Sequence, residues 1–177
     1  MATYTRQATL EDLDLLLANV QAGFDSYAAF AGLGWRPPEI AADRQRTGDL
    51  LADPQTWALL AFADGHPAGH VAFFPGRERF DEPGRGGWRA RALIPGVAHL
   101  WQLFVLPTWW GRGVAPALHD AAIAEMRRRG FVRARLFTPA LHARARRFYE
   151  RRSWSATGEE WNDDLALMLT EYGRALV

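Results

Sequence analysis

The chain has 177 residues, 49% of them hydrophobic, and a formal net charge of +1. That is enough apolar side chain for one core of its own, and the near-neutral balance offers no field to attract a polyanion or a membrane surface. There is no cysteine and every strong cation is an arginine, which excludes disulfides, thiolate metal sites, a cysteine nucleophile, a Schiff-base lysine and the P-loop lysine.

The N-terminus turns acidic at once in "TLEDLD", unlike a basic-then-apolar leader, and no apolar run is long enough for a membrane span. One cytoplasmic domain over residues 1–177 is the expectation. "TYTRQAT" reads as a strand. Thr9 with Asp12 has the form of a capping box, opening a helix whose apolar stripe is Leu13, Leu16, Leu17 and Val20. Phe24 to Pro38 is rich in aromatics and glycine and fits a short helix or loop ended by its proline pair. A second helix covers Ala41 to Leu51. "TWALLAF" and "AGHVAFF" read as strands joined by a tight turn at Asp64-Gly65. His66 and His70 on that hairpin stand about 13 Å apart along a strand, too far to share a metal ion. No metal is expected.

Pro75 to Gly96 has no clean period and reads as a long surface loop carrying Glu78, Asp81 and Glu82. "VAHLWQLFVLP" restores a strand, on which strict alternation sets His99, Trp101, Leu103 and Val105 on one face and Gln102 on the other. A helix "VAPALHDAAIAEMRRRG", a strand "ARLFTP", a helix "LHARARRFYERRS" and the strands "WSATGEEW" and "LALMLTEY" complete the order β-α-α-β-β-β-α-β-α-β-β. The last, apolar strand is suited to pairing across a homodimer.

In "VLPTWWGRGVAPAL", Gly111 and Gly113 lie where a strand ends and a helix begins. Free N–H groups of a helix's first turn and the helix dipole favour phosphate oxygens, and glycines let such a ligand approach the backbone. An ordinary strand-to-helix turn needs the same residues. The pattern is neither the dinucleotide fingerprint, because Pro116 replaces its third glycine, nor a P-loop.

This segment resembles the acetyl-CoA motif V-x-P-x-x-[Q/R]-x-x-G-x-[G/A] of the GNAT superfamily of N-acetyltransferases, with Val105, Pro107, Gly113 and Ala115 matching and Trp110 in place of Gln/Arg. About thirty residues on, "HARARRFYERRSW" resembles the second motif N-x-x-A-x-x-F-Y-x-x-x-G-F. Ala145, Phe148 and Tyr149 match, His142 stands for the Asn, and Ser153-Trp154 for Gly-Phe.

The resemblance implies an α/β fold: a mixed sheet of roughly six or seven strands with about four helices, splayed between its two middle parallel strands. It implies that backbone groups of Leu103, Phe104 and Val105 hold the acetyl carbonyl and pantetheine arm of acetyl-CoA. The stretch Trp110, Gly111, Arg112, Gly113, Val114, Ala115 and Pro116 would cradle its diphosphate, although Pro116 has no N–H to give. His142 and Arg146 are further contacts to the coenzyme, Arg146 within an arginine-rich helix that also carries Arg144, Arg147, Arg151 and Arg152. Tyr149 matches the tyrosine that gives a proton to the departing coenzyme A sulfur. It can equally pack as core.

Among the residues themselves, His99 is the candidate base, because an imidazole titrates near working pH. Phe24, Asp25, Tyr27, Trp35 and Trp101 are candidates for the acceptor site, with Asp25 meeting a cationic amine. Glu159, Glu160, Asp163 and Asp164 are placed to steer one or simply to lie in solvent. The expected activity is transfer of an acetyl group from acetyl-CoA to a small primary amine, without nucleic acid, membrane or metal. A protein N-terminus or side-chain amine as acceptor, a longer acyl donor, and a non-catalytic acyl-CoA-binding module stay open.

Overall fold

The computed structural model describes residues 3–78 and 91–177. Asp81 and Glu82 lie outside them. The elements are β1 (Thr3–Gln7), α1 (Leu13–Asp25), α2 (Ile40–Leu51), β2 (Trp57–Ala63), β3 (His66–Arg77), β4 (Leu93–Val105), α3 (Val114–Arg128), β5 (Arg133–Pro139), α4 (Ala143–Glu150), β6 (Ser155–Asn162) and β7 (Leu167–Ala175). The seven strands form one sheet in the order β1-β2-β3-β4-β5-β7-β6. All neighbours run antiparallel except β4 and β5.

Local chemistry sets the first corner. Asp12 accepts a hydrogen bond from the Thr9 N–H at 2.9 Å and is gripped by both guanidinium nitrogens of Arg6 at 2.6 and 2.8 Å. The Arg6 contact, followed by the Thr9 N–H, lowers the Asp12 carboxyl to a pKa of about 2. Asp64 and Gly65 both take positive φ, 49° and 81°, as a tight hairpin between right-twisted strands requires.

Helices cover both faces of the sheet. Leu118, Ala122 and Met126 of α3 are fully buried with Val71, Phe73, Ala98, Leu100 and Leu136 on the strands, and Tyr149 of α4 joins this cluster. Each large apolar side chain so buried contributes about 1.5–3 kcal/mol. On the opposite face Leu16 of α1 packs on Leu60 and Phe62 of β2, while Tyr27 and Phe24 meet Phe104, Phe137, Leu167 and Leu169.

Three expectations change. The segment from Pro75 to Gly96 is not all loop, because β3 runs on to Arg77 and β4 begins at Leu93, with Arg77 paired to Leu93. Alternation along β4 breaks at a bulge: Phe73 pairs with Leu100 but Ala72 pairs with Gln102, so Trp101 is the extra residue. His99 and Gln102 therefore share a face with Phe74, Ala72 and His70, while Leu103 and Val105 share the other with Leu100. Finally, β7 is not an edge strand, since it is hydrogen-bonded to β5 on one side and β6 on the other. It has no free edge for a homodimer.

Candidate functional site

The parallel pairing of β4 with β5 covers only Val97, Ala98 and His99 against Arg133, Ala134 and Arg135. Beyond His99, β4 stays paired to β3 and β5 to β7, but not to one another. A cleft of about 1120 Å³ opens there, lined by Leu100 to Val105 from β4 and by Phe137, Thr138 and Pro139 from β5. The backbone groups of β4 that face the missing neighbour have no strand partner, and in a largely protein-walled cleft such groups are strong hydrogen-bonding elements.

One end of the cleft is the mouth of α3. Gly113 caps this helix with φ 85° and no side-chain cap, and Gly111 has φ 74°. A Cβ added at either glycine would meet nothing within 4 Å, so open space lies before the mouth. The N–H groups of Val114 and Ala115 precede the first intrahelical bond, which runs from Ala117 to the Gly113 carbonyl at 3.1 Å. Donors without partners, the dipole and the absent side chains together fit a diphosphate. Gly111, Gly113, Val114, Ala115 and Pro116 all line the cleft.

Trp110, where the motif carries Gln or Arg, has a different task. Its Nε1–H donates to the Val105 carbonyl at 2.7 Å, which takes that acceptor away from any ligand on the β4 backbone. The Arg144 guanidinium lies over its ring at 4.2 Å and lines the cleft, and so brings a positive charge beside the position the motif gives to Gln or Arg. Arg112 instead covers Trp109 at 5.4 Å. Arg146 does not line the cleft; its guanidinium donates to the Tyr172 hydroxyl at 3.1 Å and the Ala140 carbonyl at 3.0 Å. On α4 the arginine that reaches the cleft is Arg144, two residues earlier.

His142 caps α4, its Nδ1 accepting from the Ala145 N–H at 3.4 Å, and its ring packs on Phe30 and Tyr27 at the cleft wall. Burial and the nearby Arg144 lower its pKa. Ser153, standing for the motif's glycine, has φ 60°, the left-handed region that explains why glycine suits this position. Trp154, standing for Phe, is buried and donates its Nε1–H to His119 Nε2 at 3.0 Å, tying α4 to α3.

Tyr149 is 7% exposed and lines the cleft. Its ring packs on Phe148, Trp154 and Tyr172 as a core tyrosine's would, yet its hydroxyl has no hydrogen-bond partner among the described residues. Burial raises its pKa, and the approach of Tyr27 raises it further, so the phenol keeps its proton at all working pH values. Tyr27 belongs to the opposite face of the sheet. Side chains from both faces of the sheet, Tyr149 and Tyr27, thus line the one cleft.

At the other end, Phe24, Tyr27, His99 and Trp101 line the cleft as the sequence suggests. His99 packs between Phe74 and Phe137 at ring distances of 5.2 and 5.6 Å. Asp25 does not reach the cleft, because it falls on the exposed side of α1 and accepts from Gln21 at 2.7 Å. Trp35 also stands behind the wall, donating its Nε1–H to the Leu165 carbonyl at 2.8 Å and packing on Tyr27. Glu39, Asp43, Glu160 and Asp164 line this end together with Arg46 and Arg91. Of the four acids on the last hairpin only Glu160 and Asp164 reach it; Glu159 and Asp163 are not among the lining residues.

Sequence reasoning did not assign Gln102, Asn19 and His70 to a common unit. His70 is fully buried, its Nε2 lies 2.9 Å from Gln102 Oε1, and its Nδ1 lies 3.4 Å from Asn19 Nδ2. Burial lowers its pKa to about 4. The bulge at Trp101 makes this contact, and nothing in the residue pattern announces it.

Residues 21–154 match the acetyltransferase (GNAT) family. Solved structures with the same fold include an N-acetyltransferase from Staphylococcus aureus Mu50, 18% identical over 100% of both chains with a TM-score of 0.73. A GNAT-family protein from Desulfovibrio desulfuricans is 21% identical over 99% of this chain and 100% of its own, with a TM-score of 0.71. The PaiA N-acetyltransferase of Thermoplasma acidophilum, solved in complex with coenzyme A, is 17% identical over 99% of each chain with a TM-score of 0.67. No curated protein sequence matches this chain. With the family match spanning most of its length, the chain belongs to the acetyltransferase (GNAT) family and is an acyl-CoA-dependent acetyltransferase.

Proposed function

We propose that residues 1–177 form one catalytic unit that moves an acetyl group from acetyl-CoA directly to the primary amine of a small acceptor, both bound at once. The observation that carries this reading is the end of β4–β5 pairing at His99, which joins the glycine-lined mouth of α3, Tyr149 and an acid-lined chamber in one cleft. Acetyl-CoA supplies an activated thioester, so no covalent enzyme intermediate is needed.

Each residue has a stated task. Gly111 to Ala115 hold the diphosphate on backbone N–H groups, with Arg144 beside it. Backbone donors of Leu103 to Val105 on the open side of β4 polarise the thioester carbonyl. His99 accepts the proton released by the amine nitrogen as the N–C bond forms. Tyr149 gives its hydroxyl proton to the sulfur as the C–S bond breaks; burial, which raises its pKa, keeps that proton on the oxygen until then. Carboxylates outnumber guanidinium groups along the cleft, Glu39, Asp43, Glu160 and Asp164 against Arg46, Arg91 and Arg144, which supports an acceptor that arrives as a cation and loses its proton before attack.

The test has two parts. Calorimetry is expected to give saturable acetyl-CoA binding at micromolar to millimolar concentration, and a panel of small amines, aminoglycosides and peptides is expected to give turnover with small cationic amines. No acetyl-CoA binding overturns the whole reading. Turnover of peptides alone overturns the small acceptor.

A further inference from the structure

Gln102 lies on β4 three residues beyond His99, where the bulge at Trp101 has turned it onto the face of His99, and it lines the cleft. It is 95% buried, being 5% exposed, and its carboxamide is held from behind. A neutral imidazole carries one N–H, so its two nitrogens must play opposite parts. Asn19 presents Nδ2, which only donates, to His70 Nδ1. The His70 proton therefore sits on Nε2 and is donated to Gln102 Oε1.

With its oxygen turned to His70, the group of Gln102 left without a partner is its NH₂. No hydrogen bond joins that nitrogen to any described residue. A carboxamide whose oxygen is held against His70 and whose nitrogen lacks a protein partner beside a cleft is oriented to recognise hydrogen-bond acceptors. The attacking amine must keep its lone pair for the carbonyl carbon and is a poor partner for these N–H groups. An oxygen elsewhere on the acceptor is a good one.

Resting on the N-acetyltransferase reading above, we propose that Gln102 is a specificity-determining residue that donates its amide N–H to a carbonyl, carboxylate or hydroxyl oxygen of the acceptor amine, with His70 and Asn19 as positioning residues that hold the amide in that sense. The substrate class is thereby narrowed to small amines bearing an oxygen close to the reacting nitrogen. His70 acts through Gln102 and touches no substrate. Losing it frees the carboxamide to turn over, so recognition fades while the cleft keeps its acetyl-CoA end.

Steady-state kinetics at saturating acetyl-CoA test this with two matched pairs, glycinamide against isobutylamine and ethanolamine against propylamine. The ratio of kcat/KM within a pair is compared between protein forms, so the amines' own basicities cancel. The native protein is expected to favour the oxygen-bearing member relative to Gln102→Met by about tenfold, mostly through KM, the worth of one hydrogen bond to a buried donor. Gln102→Glu, which still accepts from His70 but offers no donor, is expected to lower the ratio at least as far. His70→Ala should lower it partway. ¹⁵N NMR of the native protein is expected to place the His70 proton on Nε2.

A proton on Nδ1 overturns the proposal, because the carboxamide would then face the cleft with its oxygen. So does an unchanged ratio in Gln102→Met and Gln102→Glu, or an equal loss of kcat for every amine, which would mark Gln102 as a partner of the thioester carbonyl. Acetyl-CoA calorimetry separates this failure from that of the parent reading: a protein that binds acetyl-CoA but acetylates no amine overturns both, whereas turnover without discrimination overturns only the role of Gln102.

Discussion

The two ends of the cleft are built from different material. At the α3 mouth the contacts are backbone N–H groups, kept clear by glycines with positive φ, and side chains matter chiefly by being absent. At the end proposed for the acceptor the lining comes from many elements, α1, α2 and the segment before it, the bulged strand β4 and the last hairpin, and differs in charge and ring chemistry from one residue to the next. Backbone recognition suits a ligand part common to many enzymes, while side-chain recognition allows the acceptor to change without disturbing the rest. Tyr149 belongs to the core cluster on the α3 face and lines the same cleft.

The sharpest way to break this contrast is at Tyr149. Tyr149→Phe removes one hydroxyl that no described residue uses, so the fold loses little while the departing sulfur loses its proton source. A fall in kcat of about 100-fold is expected, within the usual range for general acid catalysis, with acetyl-CoA affinity nearly unchanged. Rapid-quench or steady-state kinetics paired with calorimetry checks it. Unchanged kcat would return Tyr149 to the core as packing alone.

A smaller loss is expected at the backbone end. Gly113→Val puts a β-branched residue at φ 85°, a conformation that costs about 1–2 kcal/mol, and places methyl groups where the diphosphate approaches. Acetyl-CoA affinity should fall about tenfold or more by calorimetry, whereas kcat at saturating acetyl-CoA should fall far less. The opposite split would mean that α3 orients the thioester rather than binding the phosphates.

How far each end was legible follows from the same contrast. Glycines at a strand-to-helix junction carry their physics in their identity, so the α3 mouth and the order of strands and helices could be read directly. Tyr149 was singled out through the resemblance of Ala145, Phe148 and its own position to the second motif, and the structure brings it to the cleft. The acceptor end was not, for geometric reasons. One extra residue at Trp101 moves Gln102 and His99 onto a common face, and alternation by itself sets them apart. Asp25 and Trp35 lie close in sequence to wall residues, but Asp25 falls on the exposed side of α1 and Trp35, in the loop before α2, stands behind Tyr27. Arg144 differs from Arg146 only in which side of α4 it occupies, and that side was fixed by Tyr149 and Phe148 turning inward.

The smallest effect tests whether the acceptor end can be loosened alone. Asn19 and Phe24 lie on α1 and Tyr27 follows it, while the turn leading into α1 is held by Asp12 between Arg6 and the Thr9 N–H. Asp12→Ala should cost about 1 kcal/mol of stability, as loss of a helix cap does, measured by denaturant unfolding. The native protein should show the same dependence on pH. The Asp12 carboxyl is lowered in the folded state to a pKa of about 2 from 3.8, so the unfolded chain binds the proton first. The stabilisation is therefore complete above about pH 4 and is lost as pH falls toward 2. Arg6 is nearly half exposed, so added salt should shrink the effect. Because Arg6 and Asp12 lie far along the chain from the α3 mouth, Asp12→Ala should raise KM for the amine a few-fold and leave acetyl-CoA affinity alone. Equal weakening of both would mean that the two ends of the cleft are one mechanical unit, joined through β4.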